Sequence, residues 1–141
     1  MGKRINESFI SKYAELEKNC CIRFGVASGG VTEYINRLNN ARFAPGREEV
    51  LPRLVRYRNL RNKIAHEVGA LRKINEIKKE DITWLKKFNK DVLKKRDPIA
   101  TYLRNARRYA RWRRVKNYVT IGAFSILAII IIVLTVVYLA K

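Results

Sequence analysis

Residues 118–140 read YVTIGAFSILAIIIIVLTVVYLA, a run of 23 residues without a charged side chain. As a helix at about 1.5 Å per residue it would measure about 34 Å, enough to cross a hydrocarbon core of roughly 30 Å with some tilt. A core helix of a globular domain is rarely apolar on every side over such a length. The stretch therefore reads as a transmembrane helix, in which Gly122 is tolerated, and it separates the bulk of the chain from a single following basic residue, Lys141.

Immediately before the run stands YLRNARRYARWRRVKNY, residues 102–118, with seven Lys or Arg between Arg104 and Lys116. The positive-inside rule places such a flank, and with it residues 1–117, in the cytoplasm. The opening MGKRINESFI has no apolar run of the signal-peptide kind, and Asn6 stands where a myristoylation motif wants Ser or Thr. A single-pass protein with a C-terminal anchor is expected. Arg104, Arg107, Arg108, Arg111 and Arg114 repeat at helical spacing, with Arg113 and Trp112 among them and Tyr109 and Tyr118 as further interfacial rings. That pattern suits an anionic leaflet better than it suits RNA.

Upstream, the period of apolar residues is that of helices, and no alternating strand pattern occurs. Ile5, Phe9, Tyr13 and Leu16 predict a helix over about 5–20, and after the Ser28-Gly29-Gly30 break Val31, Tyr34, Ile35 and Leu38 predict a second, short one. After Ala44-Pro45-Gly46 a longer helix is expected from Glu48 to Leu71, with Pro52 in its first turns and a stripe of Leu54, Tyr57, Ile64, Val68 and Leu71. A fourth is expected from Glu80 to Arg96, acidic at its start and basic at its end, with Trp84, Leu85, Phe88 and Val92 facing inward. Asp97-Pro98 reads as a cap followed by proline at the first helical position. The expected class is all-α: a small helical bundle over 1–97, a basic juxtamembrane helix over 98–117 and the span over 118–140.

Cys20 and Cys21 are adjacent and are the only cysteines, and His66 is the only histidine. These residues supply neither a disulfide framework nor a tetrahedral metal set, so no metal and no cofactor are expected. The two cysteines read as small apolar residues of a helix. No glycine-rich phosphate loop is present either.

His66 lies in YRNLRNKIAHE, residues 57–67. Two positions from Ile64 on a helix, it faces away from the apolar stripe, on one side with Asn62 and Asn59 and beside Arg58. Ala65 and Gly69 flank this polar stripe with minimal side chains that would let another helix approach. The string from Arg61 through polar Asn62 to His66 resembles the R-x4-6-H signature of the HEPN superfamily (higher eukaryotes and prokaryotes nucleotide-binding), and the resemblance covers roughly residues 5–97. It implies a HEPN-like bundle with Arg61 and His66 as catalytic pair, Asn62, Arg58 and Asn59 in support, and an active site formed where two copies of the motif meet in a homodimer. Many members of that superfamily are metal-independent endoribonucleases, so the implied role is a membrane-tethered ribonuclease. Such a stress, defence or toxin effector would be held in check by a regulatory partner or antitoxin. Other members are non-catalytic binding or partner-recruiting modules, and the motif does not separate the two.

The residue types suit RNA cleavage. Imidazole can take the 2′-hydroxyl proton or protonate the leaving oxygen, and a guanidinium fork can hold the phosphate. Positions 1–117 hold 30 basic and 12 acidic residues, a formal balance of +18, which attracts polyanions. Arg53, Arg56 and Lys63, near the motif, are the candidate RNA contacts.

Overall fold

The structure, a computed structural model, describes residues 2–67, 71 and 74–139. It is all-α: α1 (Gly2–Phe24), α2 (Gly30–Asn40), α3 (Arg47–His66), α4 (Lys79–Leu93) and α5 (Pro98–Leu139), with no strand among the described residues. The chain divides into two compact units, Met1–Leu103 and Arg104–Lys141. The bundle therefore reaches a little past the expected boundary at 97. Ile99 in the first turn of α5 is buried in its core and Tyr102 packs against it.

α1 is the element on which the bundle is built. Phe9, Tyr13, Leu16 and Cys20 recur every three or four residues, share one face and are all buried. They meet Val31, Tyr34, Ile35 and Leu38 of α2, Leu54, Tyr57 and Leu60 of α3, and Leu85, Phe88 and Val92 of α4 in one core. Aromatic rings link these helices: Phe9 meets Tyr57 edge-on at 5.6 Å, Tyr57 meets Trp84 at 5.4 Å, and Trp84 stacks on Phe88 at 4.8 Å. α2 starts so close to α1 that a Cβ on Gly30 would lie 2.4 Å from the Cys21 nitrogen, which only glycine avoids.

Three expected boundaries are corrected. α1 is longer than 5–20, reaching from Gly2 to Phe24. α3 ends at His66, with Glu67 in extended conformation, and does not run on to Leu71. The buried Asn6 amide donates to the carbonyls of Leu71 at 2.9 Å and Ile74 at 2.8 Å, and Ile74 and Ile77 are themselves buried, so the chain must turn back toward α1 there. Val68 and Gly69, assigned to this helix and its approach surface from the sequence, lie outside the described residues, as does Ala140. α4 ends at Leu93, not Arg96. Lys95, at φ 54°, closes it, with Arg96 N–H donating to the Asp91 carbonyl at 2.8 Å and Lys95 N–H to that of Val92 at 3.2 Å. This early stop brings Asp97 into the core, where it caps α5 through Ala100 N–H at 3.4 Å as its sequence position predicts.

Polar clasps join the helices at defined points. Asp97 accepts from Arg23 Nη1 and from the Tyr34 hydroxyl, both at 2.7 Å. Asn19 donates to Asn89 at 2.8 Å, and Asn89 donates to Glu15 at 2.9 Å. Asp81 accepts from Lys78 N–H at 2.9 Å, the Tyr57 hydroxyl at 2.9 Å and Arg56 Nη1 at 3.0 Å. Burial alone would raise the pKa of the Asp81 carboxyl, but these three donors outweigh it and hold the group below its ordinary value. A folded-state pKa below the unfolded one gives stability that is present above the unfolded value and lost as pH falls through the folded one. Acid unfolding of the bundle, followed by Trp84 emission in a Trp112→Phe background, should therefore steepen below about pH 4, and Asp81→Asn should flatten that limb. Identical acid limbs would show that Asp81 contributes nothing.

Candidate functional site

α3 carries every residue of the motif and fixes which way each points. Leu54, Tyr57 and Leu60 form its buried face, so Asn59, Asn62 and His66 fall on the solvent side, all three exposed as the periodicity predicts. Pro52 is the sixth residue of α3, past the first turn, so it gives up the N–H that would have reached the Glu48 carbonyl. His66 is the last helical residue, at the end where the helix dipole favours a positive charge.

Arg61 points elsewhere. Five residues along an α-helix turn about 140°, so Arg61 and His66 of one chain do not share a face. Arg61 lines a recess of about 210 Å³ with Tyr13 and Glu17 of α1, Ser28, Gly29 and Thr32 at the start of α2, and Arg58 and Asn62 of α3. It also lines an adjoining groove of about 490 Å³ along α1, whose wall includes Ile10, Ala14, Cys21 and Ala27. His66 lines neither. Arg61 Nη1 donates to Asn62 Oδ1 at 3.2 Å, so Asn62 supports the arginine and stands between it and the histidine. Arg58 belongs with Arg61 at this recess and is not a neighbour of His66. Burial pushes the Tyr13 hydroxyl well above its ordinary pKa, reinforced by Glu17 and opposed by Arg61 and Arg58. Tyr13 stays a neutral donor.

The basic residues proposed for RNA are largely committed. Arg56 pairs with Asp81 at 3.0 Å and donates to the Glu76 carbonyl at 2.8 Å, a structural tether from α3 to α4. Lys63 faces Glu76 at 3.5 Å, and Arg53 faces Glu49 at 3.6 Å while lying 5.5 Å over the Trp84 ring. Asn59 and Lys63 share a separate groove of about 470 Å³ with Pro52, Val55, Leu60 and Glu76.

Cys20 is buried and its thiol is pushed up to about 12 by that burial, whereas Cys21 is only half-buried. Among the described residues no group of three or more His, Cys, Asp or Glu could hold a metal ion. In the second unit Arg104, Arg107, Arg108, Arg111, Trp112, Arg113 and Arg114 are all exposed, and Lys116 lies 5.5 Å over the Trp112 ring. The helix that continues from them is long and apolar enough to cross a membrane, and none of its apolar window is buried.

Sequence reasoning missed Tyr13, Glu17, Ser28 and Thr32 as neighbours of Arg61. The signal was slight: Tyr13 and Glu17 are four apart on the edge of the α1 apolar face, and Ser28 belongs to a stretch legible only as a break between helices.

The chain belongs to a family of unknown function, DUF6548, whose model matches residues 7–121. That match runs through the bundle and the basic segment into the first turn of the apolar run. No characterised protein and no solved structure matches the chain.

Proposed function

We propose that this member of a family without a known function is a membrane-anchored, HEPN-type endoribonuclease that works without a metal ion through a site completed by a second copy. The observation that carries the proposal is the placement of His66. Its imidazole is exposed at the end of α3, off the core, on a face it shares with Asn59 and Asn62, and among the described residues no hydrogen bond uses it. A lone imidazole cannot be base and acid at once, and within one chain Arg61 is turned away from it. Two copies supply two imidazoles and two guanidiniums.

In that site one imidazole takes the proton of the 2′-hydroxyl as the 2′-oxygen attacks the adjacent phosphorus. The bond to the 5′-oxygen breaks, and the second imidazole delivers a proton to that leaving oxygen. The products are a 2′,3′-cyclic phosphate and a 5′-hydroxyl. Arg61 offers its fork to the phosphoryl oxygens as negative charge grows on them. The test is incubation of the full-length chain in detergent micelles with labelled single-stranded RNA in EDTA. Cyclic-phosphate ends are expected. RNA left intact by the dimeric chain would end the proposal.

A second reading, a non-catalytic HEPN-like module that recruits a partner to the membrane, is favoured by the ion pairs of Arg53, Arg56 and Lys63. Each of these three candidate RNA contacts faces an acidic partner within the fold, which competes with a phosphate for it.

In either case the apolar part of α5 would be the anchor and the bundle cytoplasmic, supported by the seven basic residues that immediately precede the run. Protease added to sealed inverted vesicles should then digest the bundle. Protection of the bundle would reverse the orientation.

A further inference from the structure

We infer that the cleft between α1, α3 and the start of α2 binds a small phosphate ester whose organic part is flat and apolar. The inference goes beyond the ribonuclease reading: it shares Arg61 with that site and does not use His66. The two recesses described above share Tyr13, Glu17, Ser28 and Arg61, so they form one cleft with a cationic end and an apolar end.

At the cationic end, Arg58 and Arg61 stand three residues apart on one side of α3. Among the described residues Arg58 is in no ion pair, and Arg61 donates only to the neighbouring Asn62. Like charges at this spacing repel, and an anion between them removes the repulsion. Ser28 and Thr32, each with a hydroxyl to offer, line the same recess. Two guanidinium forks and two hydroxyls offer more donors than the two oxygens of a carboxylate can take, and they suit the three terminal oxygens of a phosphate ester. Glu17 is the carboxylate on this wall. Its Oε2 accepts the Val31 N–H at 2.9 Å at the N-terminus of α2, where the helix dipole offsets its charge.

The apolar end carries the organic part. Ile10, Ala14, Cys21, Ala27 and Lys18 line it, and the mostly buried Tyr13 is common to both ends. At about 490 Å³ this groove falls in the size range of small-molecule sites, and small side chains at 14 and 27 leave it open to a flat group.

Phenyl phosphate is a probe with both parts, and the measurement is calorimetric titration of the full-length chain in detergent micelles. Phenyl phosphate should bind saturably and more tightly than inorganic phosphate. Arg58→Gln should weaken both by roughly tenfold or more, the scale of a lost charge-assisted contact. Ala14→Trp, which fills the groove, should remove the advantage of phenyl phosphate and leave inorganic phosphate unchanged. Glu17→Gln should tighten both, because it removes a repelling charge while keeping an acceptor for Val31, and a misfolded variant would not show such a gain. His66→Ala should bind as the wild type does while losing RNA cleavage, which separates this site from the ribonuclease reading. The inference is overturned by absence of saturable binding, by equal affinity in Arg58→Gln, or by an equal loss in Arg107→Gln/Arg108→Gln, which would place the anion on the basic segment of α5.

Discussion

Replacing His66 with alanine is expected to lower metal-free RNA cleavage by roughly 100-fold or more, the usual scale of a lost general acid or base. The loss should be of rate and not of structure, because the side chain is exposed and, among the described residues, makes no bond. The thermal transition of the variant should therefore overlay that of the wild type. Arg61→Lys should also be damaging although the charge is kept, since a single ammonium cannot make the forked contact. DNA of the same sequence should survive, having no 2′-hydroxyl to act as nucleophile. A dimeric wild type that cuts RNA no faster than His66→Ala would leave the partner-recruiting reading in possession.

The second large effect lies in the core. Asp97 is 1% exposed and holds both Arg23 and the Tyr34 hydroxyl, and it caps α5 as well. Asp97→Ala leaves a guanidinium without its anion, a buried hydroxyl without an acceptor and a helix without a cap. Removing one partner of a buried pair costs about 3–5 kcal/mol, a large share of the roughly 5–15 kcal/mol that holds a domain together. Asp97→Asn keeps an acceptor for Tyr34 and for the cap, and should cost clearly less. Denaturant unfolding read by Trp84 emission in the Trp112→Phe background measures both. Equal, small losses in the two variants would show that the Arg23 pair contributes little.

Helix existence and inner faces were legible in the sequence because each follows from local period. Phe9, Tyr13 and Leu16, or Leu85, Phe88 and Val92, have no other way to reach one core. The end of α3 was not legible. Glu67 is not itself a breaker, and the Asn6 amide that holds the chain beyond it reaches carbonyls 65 and 68 residues away. The same holds at the candidate site. Exposure of Asn59, Asn62 and His66 follows from spacing alone. The company Arg61 keeps comes from α1 and the start of α2, which no count along α3 could supply. Arg56 looked free for RNA until Asp81, 25 residues on, was found to hold it.

The three clasps of α1 also say something about how the bundle is made. Asn6, Asn19 and Arg23 find their partners at Ile74, Asn89 and Asp97, all more than sixty residues later. Such distant closures are slow and come late in folding. During synthesis the first helix made is thus the one that waits longest, and its last clasp forms only once Asp97 has emerged. The apolar run begins at Tyr118, 21 residues beyond Asp97, so completion of the bundle and emergence of the long apolar segment fall in nearly the same moment of the chain's manufacture. A lesion that delays closure at Asp97 would leave apolar faces of α1 bare as a second apolar segment appears, which is the circumstance in which nascent chains associate wrongly.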